Sequence, residues 1–361
     1  MPKDATTRLP KLVLVGGFLG AGKTTLIVRA AELMGRRGIR AAVITNDQDG
    51  GLVDTRFSEA SGLPTGEVAG GCFCCRFSDL IDAAGELRRY SPEVIFAEPV
   101  GSCIDLSATI LQPLKAYYRA EYAVAPLTVL VDPQLAASVF AGDAGEDISY
   151  LFRQQLAEAD LVCVSKLDQH SDRHQLPIPV DFELSAVTGE GVLEWIDEVL
   201  SGSRVVGARL LDVDYGRYAE AEAALGWVNL QADVLLNQPL SPATLAGPLI
   251  EEIHDRLSAA ASRIVHLKVF DRCNTGFLKV SICHNGDEPV PDGDLLASPD
   301  CRHELVINLR AVGRPDELQA IIHRVLERVN GEIVVRHAGA FRPVVPKPAP
   351  ARPAGLRSPH Y

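Results

Sequence analysis

Residues Gly17 to Thr25 read GFLGAGKTT, and they follow a short apolar run, KLVLV, at Lys11–Val15. The chain continues after Lys23 as TTLIVRAAELM, which has the composition of a helix. A glycine-rich turn between a buried strand and a helix points backbone N–H groups at an anion, and the positive end of the helix dipole adds to the attraction. A strand, Gly-x-x-x-x-Gly-Lys-Thr and a helix in that order predict a nucleoside triphosphate site.

The residue types in this loop predict separate roles. The glycines allow a tight backbone curl, the Lys23 ammonium can reach the β- and γ-phosphates, and the Thr24 hydroxyl can coordinate Mg²⁺. The alternative is a glycine-rich turn that binds nothing, and the Lys-Thr pair at its end argues against it. The residues predicted to contact the nucleotide here are Gly17, Gly20, Ala21, Gly22, Lys23, Thr24 and Thr25.

Short apolar runs alternate with helical stretches through the first half of the chain. The predicted strands are Lys11–Val15, Ala41–Thr45, Val94–Ala97, Leu127–Val131, Leu161–Val164 and Phe182–Leu184. Apolar strands separated by helices predict a mostly parallel sheet covered on both faces, which is the doubly wound α/β fold class. Ligands of such sheets bind beyond the C-terminal ends of the strands.

The pattern changes after this first region. Strand and helix signals then occur in the order βαβββα, which predicts a second, smaller α+β domain. We expect a P-loop domain at residues 1–205, a linker at 206–226, the α+β domain at 227–336 and a Pro-rich basic tail at 337–361. The tail has the composition of a disordered segment, either a solubilising terminus or a docking motif.

Composition limits the classes of protein to which this chain can belong. Its 361 residues are 47% hydrophobic with a net charge of −12, which indicates a globular protein and disfavours binding to nucleic acid or to an anionic membrane. We find no apolar run of membrane-spanning length and no signal-peptide core, so we expect a cytoplasmic protein. Eight cysteines in a reducing compartment favour metal ligands or reactive thiols over disulfides.

Two short segments after later strands predict which base is bound. Asp168, in the VSKLD that closes the fifth predicted strand, can accept hydrogen bonds from guanine N1–H and from its exocyclic amine, a pair that adenine does not offer. At Ser185-Ala186, after the next strand, a backbone N–H can meet the guanine O6. These segments resemble the Asn-Lys-x-Asp and Ser-Ala elements of GTPases, with the shorter Ser165 in place of Asn, so we expect weaker tethering of nearby loops. The predicted guanine site consists of Ser165, Lys166, Asp168, Ser185 and Ala186.

Three cysteines lie within four residues, in the GCFCC of Gly71–Cys75. Residues i and i+2 of an extended segment project to the same side, so Cys72 and Cys74 can bind one ion, and Cys75 joins them if the chain turns. Closed zinc sites have four ligands, so three thiolates with an open position suit an ion that must leave, with Zn²⁺, Co²⁺ or Cu⁺ favoured over Mg²⁺. Inert buried cysteines, or an iron–sulfur cluster completed by Cys103, are the alternatives. One ion could also be shared by two copies of the chain in a homodimer.

Two more segments follow strand ends near the phosphate loop. The segment Asn46–Asp54 (NDQDGGLVD) can order around the γ-phosphate and Mg²⁺, and Asp47 in it is a candidate catalytic residue. Glu98, in the EPVG after the third strand, is placed to join the Mg²⁺ shell or to orient water. The candidate catalytic residues are thus Lys23, Thr24, Asp47 and Glu98, of which Thr24 and Glu98 would be Mg²⁺ ligands.

In this order, the motifs resemble those of the CobW-type metallochaperone GTPases, relatives of the nickel accessory GTPases for urease and hydrogenase. The resemblance covers the P-loop domain and implies GTP hydrolysis with Mg²⁺, coupled to delivery of Zn²⁺ or Co²⁺ from Cys72, Cys74 and Cys75 to a client metalloprotein that the sequence does not name. Two motifs depart from the family: Asn46–Gly50 reads NDQDG instead of Asn-Glu-Phe-Gly-Glu, and Glu98–Gly101 reads EPVG instead of Glu-Thr-Thr-Gly. The His-rich stretch of some members is missing.

Two other classes of function are left open. A P-loop small-molecule kinase would prefer adenine and would not need Cys74. A metal- or redox-sensing regulatory module would bind GTP and metal without transferring the metal to an apo-protein. In the second domain, Cys283-His284 and Cys301-x-His303 offer soft ligands for a second metal site, for which packing is the alternative role.

Overall fold

The computed structural model describes residues 9–169 and 176–348, so the predicted tail from residue 349 onward lies outside the described residues. The strands are β1 (Lys11–Gly17), β2 (Ala41–Asn46), β3 (Thr65–Val68), β4 (Val94–Glu98), β5 (Ala123–Val124), β6 (Thr128–Val131), β7 (Leu161–Val164), β8 (Phe182–Glu183), β9 (Leu225–Leu240), β10 (Arg263–Cys273), β11 (Gly276–Ile282), β12 (Val290–Gly293), β13 (Asp300–Val312) and β14 (Gly331–Phe341). The helices are α1 (Lys23–Arg36), α2 (Val53–Ala60), α3 (Phe77–Leu87), α4 (Gln112–Tyr117), α5 (Pro133–Ala141), α6 (Glu146–Glu158), α7 (Val192–Ser201), α8 (Tyr215–Ala223), α9 (Pro242–Ala259) and α10 (Pro315–Leu326). A 3₁₀ turn forms at Arg88–Tyr90, and a π-helical turn at Ser107–Leu111 leads into α4.

The first sheet is parallel and has the order β3-β2-β4-β1-β6-β7-β8, with β5 also pairing with β1. The side chains of Leu12 to Val15 on β1 are fully buried because helices cover both faces. The order of strands reverses at β1, whose neighbours are β4 and β6. Such a reversal opens a crevice at the C-terminal end of the strand, which is where the phosphate loop begins. The predicted doubly wound fold class is confirmed.

The second sheet is antiparallel and has the order β12-β11-β10-β13-β9-β14. Helices α9 and α10 pack against it and bury leucine, isoleucine and valine side chains. Helix α9 begins at a capping box in which Ser241 and Thr244 each bond the other's backbone N–H, with Pro242 at its first position. The separate α+β domain is therefore present as predicted, with α8, β12 and β14 added to the predicted order of elements.

The described residues form two compact units whose boundaries differ from the predicted ones. Residues 9–46, 62–169, 176–214 and 346–348 form the first unit, and residues 47–61 and 215–345 form the second. Part of the predicted linker belongs to the first unit, since Gly207 donates its N–H to Asp160 and accepts from the Gln112 side chain. Strand β14 pairs with β9 as far as Phe341, inside the region predicted as tail.

Residues 47–61, which contain α2, are the largest departure from the predicted organisation. In sequence they lie inside the P-loop domain, but their contacts are with the second sheet. Local patterns in the sequence carry no information on such long-range packing. Within the described ranges, no helix is long and apolar enough to cross a membrane.

Candidate nucleotide and metal site

The phosphate loop joins β1 to α1 through glycines in left-handed conformations. Gly17 has φ 127°, and a Cβ there would lie 2.5 Å from the carbonyl oxygen of Leu130, so no other residue fits. Gly22, with φ 91°, caps α1 without a side-chain hydrogen bond. The N–H groups of the first helical turn therefore face the loop, as an anion site requires.

Thr24 meets Glu98, and Lys23 lies over the phosphate loop. The Lys23 ammonium folds over the loop and donates to the carbonyl oxygens of Gly17, at 3.0 Å, and Phe18, at 3.3 Å. The Thr24 hydroxyl donates to Glu98 Oε1 at 3.0 Å, and the side chains of Lys23, Thr24 and Glu98 are all buried. A hydroxyl and a carboxylate in contact are hard oxygen donors of the kind that Mg²⁺ prefers.

The predicted base-binding residues also lie together. Asp168 Oδ1 accepts a hydrogen bond of 2.5 Å from the Ser185 hydroxyl, which in turn accepts the Thr188 N–H at 3.1 Å. These bonds connect the loops after β7 and β8 and fix the direction of the Asp168 carboxylate. The Ser185-Ala186 turn thus stands beside the carboxylate that is predicted to bind guanine.

Ser165 makes the tether that its short side chain was expected to weaken. Its hydroxyl is 2.8 Å from the Ala21 carbonyl oxygen, so it joins the end of β7 directly to the phosphate loop. The adjacent Lys166 has φ 60° and pairs with Asp132 at 2.6 Å. Asp132 also caps helix α5 by accepting the backbone N–H of Gln134 and is almost fully buried, so Lys166 is held rigidly.

The three clustered cysteines meet at one point, because the chain turns after Cys72. The backbone N–H of Cys75 donates to the Cys72 carbonyl oxygen at 2.9 Å, which brings the third sulfur back to the other two. The Sγ–Sγ distances are 2.7 Å for Cys72–Cys74, 3.4 Å for Cys72–Cys75 and 3.7 Å for Cys74–Cys75. Cys72 and Cys74 are buried, while Cys75 is half-buried and its sulfur accepts the Lys347 backbone N–H at 3.1 Å.

Proton affinity differs among these thiols. Hydrogen bonds from Cys103, Cys74 and Cys75 hold the pKa of Cys72 well below its usual range, so Cys72 is the first to ionise. The hydrogen bond to the Cys72 sulfur, together with burial, raises the pKa of Cys75 to about 11. A metal that binds all three must displace protons, and its affinity therefore rises with pH.

The candidate metal site of the second domain gains no support from the geometry. Among residues 9–169 and 176–348, the three cysteines 72, 74 and 75 are the one set of three or more Cys, His or acidic groups whose ligand atoms all converge; Cys103, which hydrogen-bonds Cys72, lies outside that set. In the second unit, His303 has both ring nitrogens engaged, by the Asp271 carboxylate and the Asp300 carbonyl oxygen. The packing role, not a second metal site, fits His303.

The Asn46 side chain holds the cysteine loop in place. Its Nδ2 donates to the carbonyl oxygens of Val68 and Gly71, both at 2.8 Å, and its Oδ1 accepts the Phe73 N–H at 2.9 Å. Asn46 is the last residue of β2, so the strand that leads into the predicted switch segment also supports the loop with the cysteines. The sequence pattern indicates Asn46 only as the start of the switch, and its hydrogen bonds to the cysteine loop appear only in the structure.

Asp47 is buried in the second unit, where its carboxylate pairs with Arg310 at 2.5 Å. Burial raises the pKa of Asp47, and the Arg310 charge opposes that shift. The structure thus groups Lys23, Thr24 and Glu98 in the first unit and places Asp47 in the other. Arg310 was not predicted, since no local motif surrounds it, whereas Asp132 carries the recognisable signal of an Asp-Pro helix start.

A parallel sheet with this loop at the end of its central strand defines a P-loop nucleotide-binding protein. The comparison with protein families then names the group. Residues 11–179 match the model of the CobW/HypB/UreG nucleotide-binding domain.

Individual relatives match over part of their length. The chain is 30% identical over 197 residues to the zinc chaperone CobW of Pseudomonas aeruginosa, covering 47% of this chain and 52% of that protein. It is 30% identical over 162 residues to the zinc chaperone YeiR of Escherichia coli, covering 43% and 46%. The chain spans about half the length of the curated relatives it matches. The crystal structure of Zn(II)-bound YjiA GTPase from E. coli aligns with a TM-score of 0.33 and 13% identity over 88% of this chain and 99% of that one.

Proposed function

We propose that this protein hydrolyses GTP with Mg²⁺ and uses the cycle to carry a thiophilic transition metal, foremost Zn²⁺, to a client metalloprotein. The observation that carries the proposal is the convergence of the Cys72, Cys74 and Cys75 sulfurs in the same unit as a phosphate loop that matches the CobW/HypB/UreG nucleotide-binding domain. The names of the matched relatives, zinc chaperones, support the same choice of metal.

The nucleotide half of the proposal rests on the first unit. Lys23 and the loop N–H groups would bind the phosphates, and Thr24 and Glu98 would hold Mg²⁺. Asp168, directed by Ser185, would select guanine over adenine. Mg²⁺ would neutralise charge that develops on the phosphates, while Glu98 can also orient the attacking water.

The metal half rests on the spacing of the sulfurs. With Zn–S bonds of the usual length, two thiolates of a tetrahedral zinc site lie about 3.8 Å apart. The Cys74–Cys75 distance of 3.7 Å and the Cys72–Cys75 distance of 3.4 Å are close to this value. The Cys72–Cys74 pair, at 2.7 Å, must open by about 1 Å to accept the ion. Three thiolates leave the fourth position to a client ligand, as transfer requires.

Transfer needs a metal affinity that differs between the GTP-bound and GDP-bound states. A nucleotide can change metal binding only if it binds the metal-loaded and metal-free conformations with different affinities. Asn46 offers the physical connection. It ends β2 next to the switch segment, and its three hydrogen bonds hold the loop that carries the cysteines. A switch that rearranges around the γ-phosphate would pull on this residue first.

A GTPase assay with Zn²⁺, Co²⁺ and Ni²⁺ tests the proposal on the wild type, on Cys74→Ser and on Cys273→Ser. Cys273 is a half-buried cysteine in β10 and serves as the matched control. We expect GTP turnover in all three proteins, and a change in kcat with Zn²⁺ that Cys74→Ser alone loses. Absence of turnover in the wild type would contradict the hydrolase assignment, and a metal effect that persists in Cys74→Ser would contradict the metal site.

One observation favours a second function, a thiol-based sensor. The Cys72 and Cys74 sulfurs are closer than a zinc site needs, so an external oxidant could join them in a disulfide. The two functions differ in what GTP does to bound metal. A chaperone should release Zn²⁺ to a chelating dye faster during GTP hydrolysis than with GDP, whereas a sensor should release it at the same rate with either nucleotide.

A further inference from the structure

Residues 47–54 of the predicted switch segment Asn46–Asp54 fold as part of the second unit. Helix α2, which follows it directly, buries Val53 and Phe57 completely. The Phe57 ring meets that of Phe277 edge-on at 6.1 Å, and the Lys279 ammonium stands 3.5 Å from its centre. An apolar contact of this kind fixes α2 on the polar face of the second sheet.

Each acidic side chain of the segment has a basic partner on that sheet. Asp47 pairs with Arg310, His337 Nε2 lies 2.7 Å from Asp49 Oδ2, and Asp54 pairs with Lys268. The backbone is bound as well. Asn308 Oδ1 accepts the Val53 N–H at 2.9 Å, and its Nδ2 donates to the Gly51 carbonyl oxygen at 3.2 Å.

Arg310 is the most constrained of these partners. Its guanidinium donates to the carbonyl oxygen of Val228 at 3.1 Å and to Asn229 Oδ1 at 2.8 Å, and it stacks 4.1 Å above the Trp227 ring. It is buried, and so is the Asp47 carboxylate that it binds. Because a planar guanidinium held at three sides has one orientation, strands β9 and β13 determine where the Asp47 carboxylate lies.

Asp47 is joined through one peptide bond to Asn46, and the chain changes units at that bond. On one side of it, Asn46 holds the cysteine loop; on the other, Arg310 holds Asp47. Strand β2, which ends here, reaches the same edge of the first sheet as β1 and β4, which carry the phosphate loop and Glu98. Asn46 and Asp47, the two residues at which the switch begins, are therefore each held by hydrogen bonds of their side chains.

We propose that Arg310 is a positioning residue for GTP hydrolysis, through which the second domain sets the conformation of the switch and with it the metal affinity of the cysteine site. Arg310 acts through Asp47, the carboxylate that it binds. This role rests on the proposed function, since it presumes GTP turnover and nucleotide-dependent metal binding. A buried ion pair also contributes to specificity of the folded state, so the test must separate positioning from stability.

The test compares Arg310→Ala, Arg310→Lys and the control Asp271→Asn. Asp271 forms a buried pair with His303 in the same sheet, at 2.9 Å, and alternation along β10 puts it on the face of Leu267 and Val269, opposite to that of Lys268. For each purified full-length protein we would measure kcat and KM for GTP, thermal unfolding, and Zn²⁺ affinity with a GTP analogue and with GDP.

We expect Arg310→Ala to lower kcat about tenfold or more and to change KM for GTP less than about threefold. The substitution disturbs the switch but leaves the contacts that bind GTP in the ground state unchanged. Arg310→Lys should have a higher kcat than Arg310→Ala and a lower kcat than the wild type. Lysine keeps the positive charge but lacks the planar guanidinium with its several hydrogen-bond donors. The difference in Zn²⁺ affinity between the two nucleotide states should shrink in Arg310→Ala. Asp271→Asn should lose thermal stability and keep wild-type kcat within about twofold.

Equal losses of kcat in Arg310→Ala and Asp271→Asn would overturn the positioning role, and so would a rise in KM with kcat unchanged. If Arg310→Ala does not fold, Arg310→Lys alone decides, through the same split between kcat and KM. A wild-type protein that does not hydrolyse GTP would instead refute the proposed function, and that result is visible before any variant is compared.

Discussion

Replacing Asn46 by alanine should weaken Zn²⁺ binding although Asn46 is not a metal ligand. Its side chain makes three hydrogen bonds to the cysteine loop, to the carbonyl oxygens of Val68 and Gly71 and from the N–H of Phe73, all between 2.8 and 2.9 Å. Truncation leaves these three backbone groups without the side chain that orders them. The loop must then be ordered by the metal itself, and that cost lowers the affinity.

The magnitude follows from the count of bonds. At about 1 kcal/mol each, three hydrogen bonds are worth about 3 kcal/mol. Part of this is lost from folding stability and part from metal binding, so we expect about 1 to 3 kcal/mol to appear in the Zn²⁺ titration. That range corresponds to an affinity that is about 5- to 150-fold weaker.

A competition titration against a zinc-binding dye, under reducing conditions, measures this effect. The control is Asn285→Ala, because Asn285 also makes three hydrogen bonds, to Ile264, Ser258 and Ser262, in the second unit. It should lose folding stability and keep wild-type Zn²⁺ affinity. A dissociation constant for Zn²⁺ in Asn46→Ala within about twofold of the wild-type value would refute this prediction. The hydrogen bonds between Asn46 and the cysteine loop would then contribute nothing to metal affinity.

Other predictions concern the nucleotide and pH. Asp168→Asn should raise KM for GTP about tenfold or more without affecting ATP, because two charge-assisted bonds to guanine are lost; an unchanged KM would refute guanine selection. Thr24→Val removes the hydroxyl that bonds Glu98 and should increase the Mg²⁺ concentration needed for half-maximal turnover, which a Mg²⁺ titration of kcat checks. Burial raises the pKa of Glu158 to about 8, so the folded chain binds more protons than the unfolded chain between about pH 5 and 8, and stability falls as pH rises through that window. Denaturant unfolding at both pH values should show a smaller fall in Glu158→Gln, and equal falls would contradict the assignment.

The phosphate loop and the position of Glu98 near it could be predicted from the sequence, because the loop motif is local and the order of parallel strands places Glu98. The loop motif is contiguous, and Glu98 follows the strand next to β1, so parallel pairing alone brings it to Thr24. The convergence of the three cysteines could also be predicted from the sequence, because it needs only one turn of the chain after Cys72. The prediction of a guanine site rests on two short segments that follow adjacent strands, β7 and β8.

The parts that sequence patterns missed depend on contacts distant along the chain. Asp47 and Arg310 are 263 residues apart, and each lies in a stretch that reads as ordinary strand or loop. The placement of residues 47–61 with the second sheet follows from such pairs, and no periodicity encodes them. The tethering strength of Ser165 was underestimated because side-chain length was considered without the position of Ala21, whose carbonyl oxygen lies within its reach.

The most direct test of the central claim is the Zn²⁺ affinity of the wild-type protein, measured once with a non-hydrolysable GTP analogue and Mg²⁺ and once with GDP and Mg²⁺. A GTP-gated metal carrier requires coupling between the two sites, and we predict affinities that differ by about tenfold or more, equivalent to about 1.4 kcal/mol. Affinities that agree within about twofold would contradict the account, because a nucleotide that does not change metal binding cannot drive delivery of the metal.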